Sequence, residues 1–140
     1  MSAYVLSHPK VEIDPDYAGT PAPVDVSCHI RSVAINADVD EVDVSSFCNP
    51  GGTAAGPPAY TLDVDWIIND DSPTVLAAFV GETVELILTP NAGATEVLRL
   101  LFAFGPVNPA VLGTWTAGEI IEASTSHSVL DGGPGWGPAS

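Results

Sequence analysis

Three histidines and two cysteines are the side chains best suited to proton transfer or nucleophilic attack near neutral pH: His8, His29, His127, Cys28 and Cys48. Their surroundings give them little to work with. His8 lies in a Pro-containing N-terminal segment, and His127 lies in a Ser/Thr-rich stretch. His29 alternates with Asp25, Ser27 and Arg31 on what reads as the polar face of a strand. All three are expected to be solvated. Cys28 and His29 are neighbours on that strand, so their side chains point to opposite faces and cannot form a dyad. The cysteines lie 20 apart with no second pair for a zinc site, and two free, packed thiols are expected. No serine sits in G-x-S-x-G, and neither a Walker loop nor H-E-x-x-H is present. Asp38, Asp40, Glu41 and Asp43 invite a calcium loop. Counted from Asp38, however, positions 6 and 12 are Asp43 and Asn49, where glycine and glutamate are needed. Gly51-Gly52 and Gly132-Gly133 lack the lysine and helical pattern of a phosphate loop. The expectation is therefore no enzyme, no catalytic residue, no metal and no cofactor.

The charge is the stronger signal. Eighteen acids stand against Lys10, Arg31 and Arg99 in 140 residues, for a formal net charge of −15. A surface this poor in cations cannot neutralise a row of phosphates, which excludes ordinary nucleic-acid binding. An anionic membrane face would repel it too. No apolar run reaches the roughly 20 residues of a membrane span. Residues Met1 to Asp16 lack the basic start and apolar core of a secretory leader, so residence in a cytoplasm is expected.

The elements that would carry these acids are strands. Hydrophobic residues make up 46% of the chain, enough for a core, while 26 glycines and prolines argue against a helical protein. Residues 1–23 read as a partly extended arm. From Val24 the chain alternates, with Val24, Val26, Cys28 and Ile30 on one face. The phase then slips to Val33, Ile35 and Ala37, so a bulge is expected near Arg31-Ser32. Residues 45–59, with three glycines and three prolines, read as a long loop. Tyr60 to Ile68 alternates again, with Leu62, Val64 and Trp66 inward and Thr61, Asp63 and Asp65 outward. Ser72-Pro73 then opens a helix of about two turns over 73–80, Ser72 as N-cap and Pro73 at the first position. Gly81 closes it. Glu82 to Thr89 and Val97 to Phe104 are further strands. The second is apolar on both faces, with Val97, Leu101 and Ala103 opposite Leu98, Leu100, Phe102 and Phe104. Such a strand is either central or covered by another subunit. A last hairpin-like stretch runs to Val129, and residues 131–140 read as a flexible tail. Seven or eight strands with one short helix predict an all-β-dominated domain over 24–130, a β-sandwich or barrel with one flanking helix.

The order of these features resembles that of the major tail tube protein of long-tailed bacteriophages. The resemblance rests on VDVSSFCNPGG, a loop, YTLDVDWIIND, the short helix TVLAAFV, and GETVELILTPN. In that family a Val-Asp-rich strand ends in a Thr/Ser-Phe segment, here Ser45-Ser46-Phe47. A Gly-x-x-Val-x-hydrophobic-x-hydrophobic-x-Pro strand follows the helix, here Gly81, Val84, Leu86, Leu88 and Pro90. The resemblance covers about residues 24–130. It implies a structural virion protein, assembled in the host cytoplasm, that forms rings, as a rule hexameric, which stack into the tail tube. Its partners are further copies of itself and the tape measure and tail terminator proteins. DNA passes through the acidic channel during ejection without being bound. On this reading Asp63, Asp65 and Glu85 are the lumen-facing candidates. Phe47, Pro57, Pro58 and Tyr60 would contact the next ring, and Val97, Leu101 and Ala103 would lie at a subunit interface. Two other readings fit the size and acidity: a capsid decoration protein that clamps capsomers through its arm, and a secreted acidic β-sandwich binding module with a Cys28–Cys48 bridge.

Overall fold

The structure is a computed structural model that describes residues 6, 9–39, 41–43, 53–55, 58–91 and 93–139. It is mostly antiparallel β-sheet with one short helix, as the periodicity predicts. In chain order the strands are β1 (Lys10–Asp14), β2 (Val24–Asp25), β3 (Ile30–Asp38), β4 (Glu41–Asp43), β5 (Thr53–Ala55) and β6 (Ala59–Ile68). Helix α1 (Ser72–Ala77) follows, then β7 (Thr83–Thr89), β8 (Glu96–Ala103) and β9 (Ile121–Pro138). Seven strands form one sheet in the order β2-β1-β7-β8-β9-β6-β3, and β4 pairs with β5 separately.

The sheet folds over at β9. That strand pairs with β6 through Ile121 to Ser128 and with β8 from Val129 to Pro138. One long strand thus belongs to two half-sheets: β2-β1-β7-β8 with the end of β9, and β3-β6 with its beginning. Their inner faces share one core. Leu62, Val64 and Trp66 of β6 meet Val84 and Leu86 of β7 and Leu100 and Phe102 of β8. Trp66 stands edge-on to Phe104 with ring centroids 5.9 Å apart, and α1 closes the core with Leu76 and Phe79. Burying side chains of this size contributes about 1.5–3 kcal/mol each, which is what holds the halves together.

Five segments differ from the sequence reading, among them the hairpin expected up to Val129, which is a loop leading into the single strand β9. Residues 10–14 are not an arm: β1 sits between β2 and β7, and Ile13 is fully buried. The face assignment of residues 24–30 changes because Ser27–His29 form a 3-10 turn, which swings Cys28 out to solvent and His29 into the interior. Residues 131–138 continue β9 despite their glycines and prolines. The register with β8 breaks between Arg99 and Leu101, so Gly132, Gly133 and Pro134 fall at an irregularity, where such residues are tolerated. Within 45–59, Thr53–Ala55 pair with β4, and residues 44–52, 56 and 57 lie outside the described residues. The expected bulge is present: the β3–β6 register shifts between Ile30 and Ser32, leaving Arg31 as the extra residue. Strand β8 lies inside the sheet between β7 and β9, which accounts for its two apolar faces.

Candidate functional site

Asp63 and Asp65 occupy the middle of the outer face of β3, β6 and β9. Because β6 alternates, the same pleat that buries Leu62, Val64 and Trp66 turns both carboxylates to solvent. Across the strands, Asp65 stands opposite Ser32 and Ser124, and Asp63 opposite Ala34 and Ser126. The Ser124 hydroxyl donates to Asp65 at 2.7 Å and that of Ser32 at 2.8 Å, while the Asn36 amide donates to Asp63 at 3.1 Å. The Ser124 and Ser32 hydrogen bonds hold the Asp65 carboxyl below its ordinary range. Thr61 and Ser128 extend the face. It is a strip of small hydroxyl residues around two carboxylates. The nearest cation is Arg31, displaced to its margin by the bulge and paired there with Glu122.

Glu85 belongs to the other outer face. It lies on β7 between the core residues Val84 and Leu86, so it points away from the core on the opposite half-sheet from Asp63. Arg99 of β8 pairs with it at 3.2 Å, and Lys10 pairs with Glu12 on β1 at 3.6 Å. Asp14 is 2% exposed, and its carboxylate accepts from the backbone N–H groups of Asp16 and Ala22. Those bonds fold residues 15–23 back over this face, where Tyr17, Pro21, Ile87 and Val97 line a groove of about 730 Å³. The three residues proposed for the lumen are therefore not one surface: two lie together, and the third sits in a charge-paired groove behind them.

The other candidates separate likewise. Val97 is buried within its own chain, whereas Leu101 is half-buried and Ala103 exposed. Pro58 is exposed, and the Tyr60 ring packs over Gly133, where a Cβ would come within 2.5 Å of it. Phe47 and Pro57 lie outside the described residues, as do His8 and Cys48. Cys28 is a free, exposed thiol rather than a packed one.

The remaining histidines are buried, contrary to the expectation of solvated rings. His29 Nδ1 lies 2.8 Å from the Ser72 hydroxyl, which also accepts from the Asn69 N–H. Ser72 is thus no N-cap: it is the first helical residue, it is fully buried, and no side chain caps the helix. This pair ties the 3-10 turn to α1. His127 Nδ1 donates to the Ala103 carbonyl at 3.1 Å, since a carbonyl can only accept. Its Nε2 then accepts from Thr125, whose oxygen takes the Trp66 indole N–H. Burial pushes the His127 pKa down, against the opposing influence of the Ala103 carbonyl and Asp63. Alternation on β9 could have signalled this inward position, because His127 is in phase with Ala123. Among the described residues no group of three or more His, Cys, Asp or Glu could hold a metal ion. No helix among them is long and apolar enough to cross a membrane.

No protein-family model and no curated protein matches the chain. Among solved structures it is similar to a chain of the anti-feeding prophage (AFP) baseplate, determined by cryo-electron microscopy with 6-fold symmetrisation. The likeness covers 100% of this chain and 99% of that one, with a TM-score of 0.55 and 15% sequence identity. The shared property is the fold: a mostly antiparallel β-sheet carrying one short helix, matched from end to end.

Proposed function

We propose that this chain is a structural subunit of a phage-tail-like particle, that it stacks as rings into a tail tube, and that the outer face of β3, β6 and β9 lines the channel. The observation that carries the reading is that face itself, with Asp63 and Asp65 set among serines and threonines and the nearest arginine held at the margin by Glu122. Such a wall repels phosphate, so DNA would cross it without the counterion release that drives adhesion. End-to-end likeness to a chain of a six-fold particle supports a ring-forming role. The edge of the sheet supports it too: among the described residues β3 pairs on one side only, and from Ser32 to Ala37 it carries no charge or proline to blunt that edge. A neighbouring copy would complete it. Residues 45–59 would reach the next ring.

The test is electron microscopy and DNA release on particles carrying Asp63→Lys with Asp65→Lys. Both side chains are exposed, so folding and tube assembly should persist. DNA release should slow at low salt and recover at high salt, as cation rings grip phosphate. Reversed particles that release DNA at the wild-type rate at every salt concentration would remove this face from the channel. Discrete trimers in place of tubes would favour the capsid decoration alternative.

A further inference from the structure

Seven large apolar side chains are well exposed among the described residues, and six of them fall in two places. Val107, Val111, Trp115 and Ile120 project from the loop between β8 and β9. Trp115, 76% exposed, is the most prominent. Leu6 and Trp136 line a groove with Ile30, Leu88 and Leu98, about 330 Å³ in volume. Neither feature covers the other within one chain. The loop is anchored elsewhere: the Asn108 amide donates to the Pro73 carbonyl, and Gly113 lies against the Glu122 backbone.

Charge separates these two places from the rest of the molecule. The groove is lined by no carboxylate, and its charged lining residues are Lys10 and Arg31, two of the three cations in the chain. Residues 105–120 carry a single charge, Glu119. Two copies with a net charge of −15 each repel one another over most of their surfaces. Lys10 and Arg31 are each paired with a carboxylate, Glu12 and Glu122, so the groove is close to neutral, and its contact with this nearly uncharged loop is where that repulsion is least.

We propose that a second copy of this chain docks its 105–120 loop into the groove formed by β1, β3 and the ends of β7, β8 and β9, with Trp115 as the inserted side chain. The inference names the partner surface for the self-assembly proposed above and rests on that reading. The contact is heterologous: each copy offers a loop and a groove, so it propagates into a ring or a filament.

The full chain tests it, by sedimentation velocity at high protein concentration and high salt, with circular dichroism to confirm folding. Trp115→Glu should weaken self-association at least about thirtyfold, as expected of a buried aromatic anchor. On the groove side, Trp136→Glu should do the same, and Leu6→Glu provides a second variant outside the strands. The decisive sample is an equimolar mixture of Trp115→Glu with a groove variant. One partner keeps an intact groove and the other an intact loop, so the mixture should form a dimer that grows no further. A mixture that stays monomeric while the wild type assembles would overturn the contact. Tubes that form unchanged with Trp115→Glu would refute this contact and leave the tail-tube reading standing. Small closed oligomers that depend on Trp115 and Trp136 would do the reverse. A wild type that stays monomeric throughout would overturn both.

Discussion

The two outer faces of the sandwich are built on the same alternation but treat their acids in opposite ways. On β3-β6-β9, Asp63 and Asp65 stand in solvent among hydroxyls, with no cation between them. On β1-β7-β8, Glu85 and Glu12 are paired with Arg99 and Lys10, and Asp14 is buried under the segment it organises. The first face presents carboxylates among hydroxyls with no cation beside them, and so repels anionic groups. The second has the chemistry of a surface that holds its own covering in place. Period-two patterning places a carboxylate on an outer face, but only the neighbouring strands decide which of these two jobs it does.

The largest expected difference between the faces is in stability. Asp14→Ala removes a buried carboxylate that accepts from two backbone N–H groups, leaving those donors of the 15–23 segment without their partner. Bonds to a charged acceptor of this kind are worth about 1.5–3 kcal/mol each, and relief of the cost of burying the carboxylate offsets part of the two, so Asp14→Ala should lower stability by about 2–3 kcal/mol. Asp65→Ala, on the solvated face, should leave the unfolding midpoint close to wild type. Urea denaturation of both variants checks the contrast, and equal losses would mean that the faces do not differ as described.

How much of this was legible follows the same division. The alternation of β6, β7 and β8 points to the inward set Leu62, Val64, Trp66, Val84, Leu86, Leu88, Leu98, Leu100, Phe102 and Phe104; all are buried except Leu88 and Leu98, which are half-buried beside the groove that Trp136 lines. The slip at Arg31 was legible because a phase change in a strand has few physical causes. What escaped was non-local. Val11 and Ile13 are too short an alternation to stand out among prolines, and only pairing with β7 makes them a strand. A 3-10 turn reversed Cys28 and His29, which period-two reasoning cannot foresee. Glycines and prolines near the C-terminus hid the second half of β9, because its tolerance for them comes from the bulge opposite Leu100. For the candidate site, Asp63 and Asp65 were found by strand phase. Separating Glu85 from them required knowing that β9 folds the sheet over.

The fold-over itself can be probed by pH, with the next largest effect. His127 lies on the last stretch of β9 that pairs with β6, two residues before Val129 joins β8, and its ring stands against Phe102 and Phe104. The neutral ring satisfies both of its nitrogens, and protonation would bury a charge and take away the acceptor used by Thr125. Its folded pKa is depressed below the ordinary value of 6.5, so the unfolded chain binds the proton more readily. The His127 contribution to stability is therefore complete above about pH 6.5 and is lost as pH falls from there through the lower folded value. Urea midpoints measured from pH 7.5 downward should decline over that window, and His127→Gln should flatten the decline. A wild-type profile without that decline would mean that His127 does not need to stay neutral to hold the two half-sheets together.

The smallest expected effect is the sharpest test of the division between the faces. Glu85→Gln breaks one partly exposed ion pair, whose two side chains are 35% and 21% exposed for Arg99 and Glu85. Pairs of this kind contribute about 0.2–1 kcal/mol, so the unfolding midpoint should move only slightly. Arg99 keeps a long hydrogen bond to the Ala139 carbonyl, which limits the rearrangement. If the channel is lined by the β3-β6-β9 face, neutralising Glu85 on the other half-sheet should leave DNA release at its wild-type rate at any salt concentration. Reversing Asp63 and Asp65 should slow it. Particles in which Glu85→Gln slows release as much as the double reversal would show that both faces meet DNA. The solvated carboxylates would then hold no special place, and the contrast between a bare wall and a charge-paired groove would carry no functional weight.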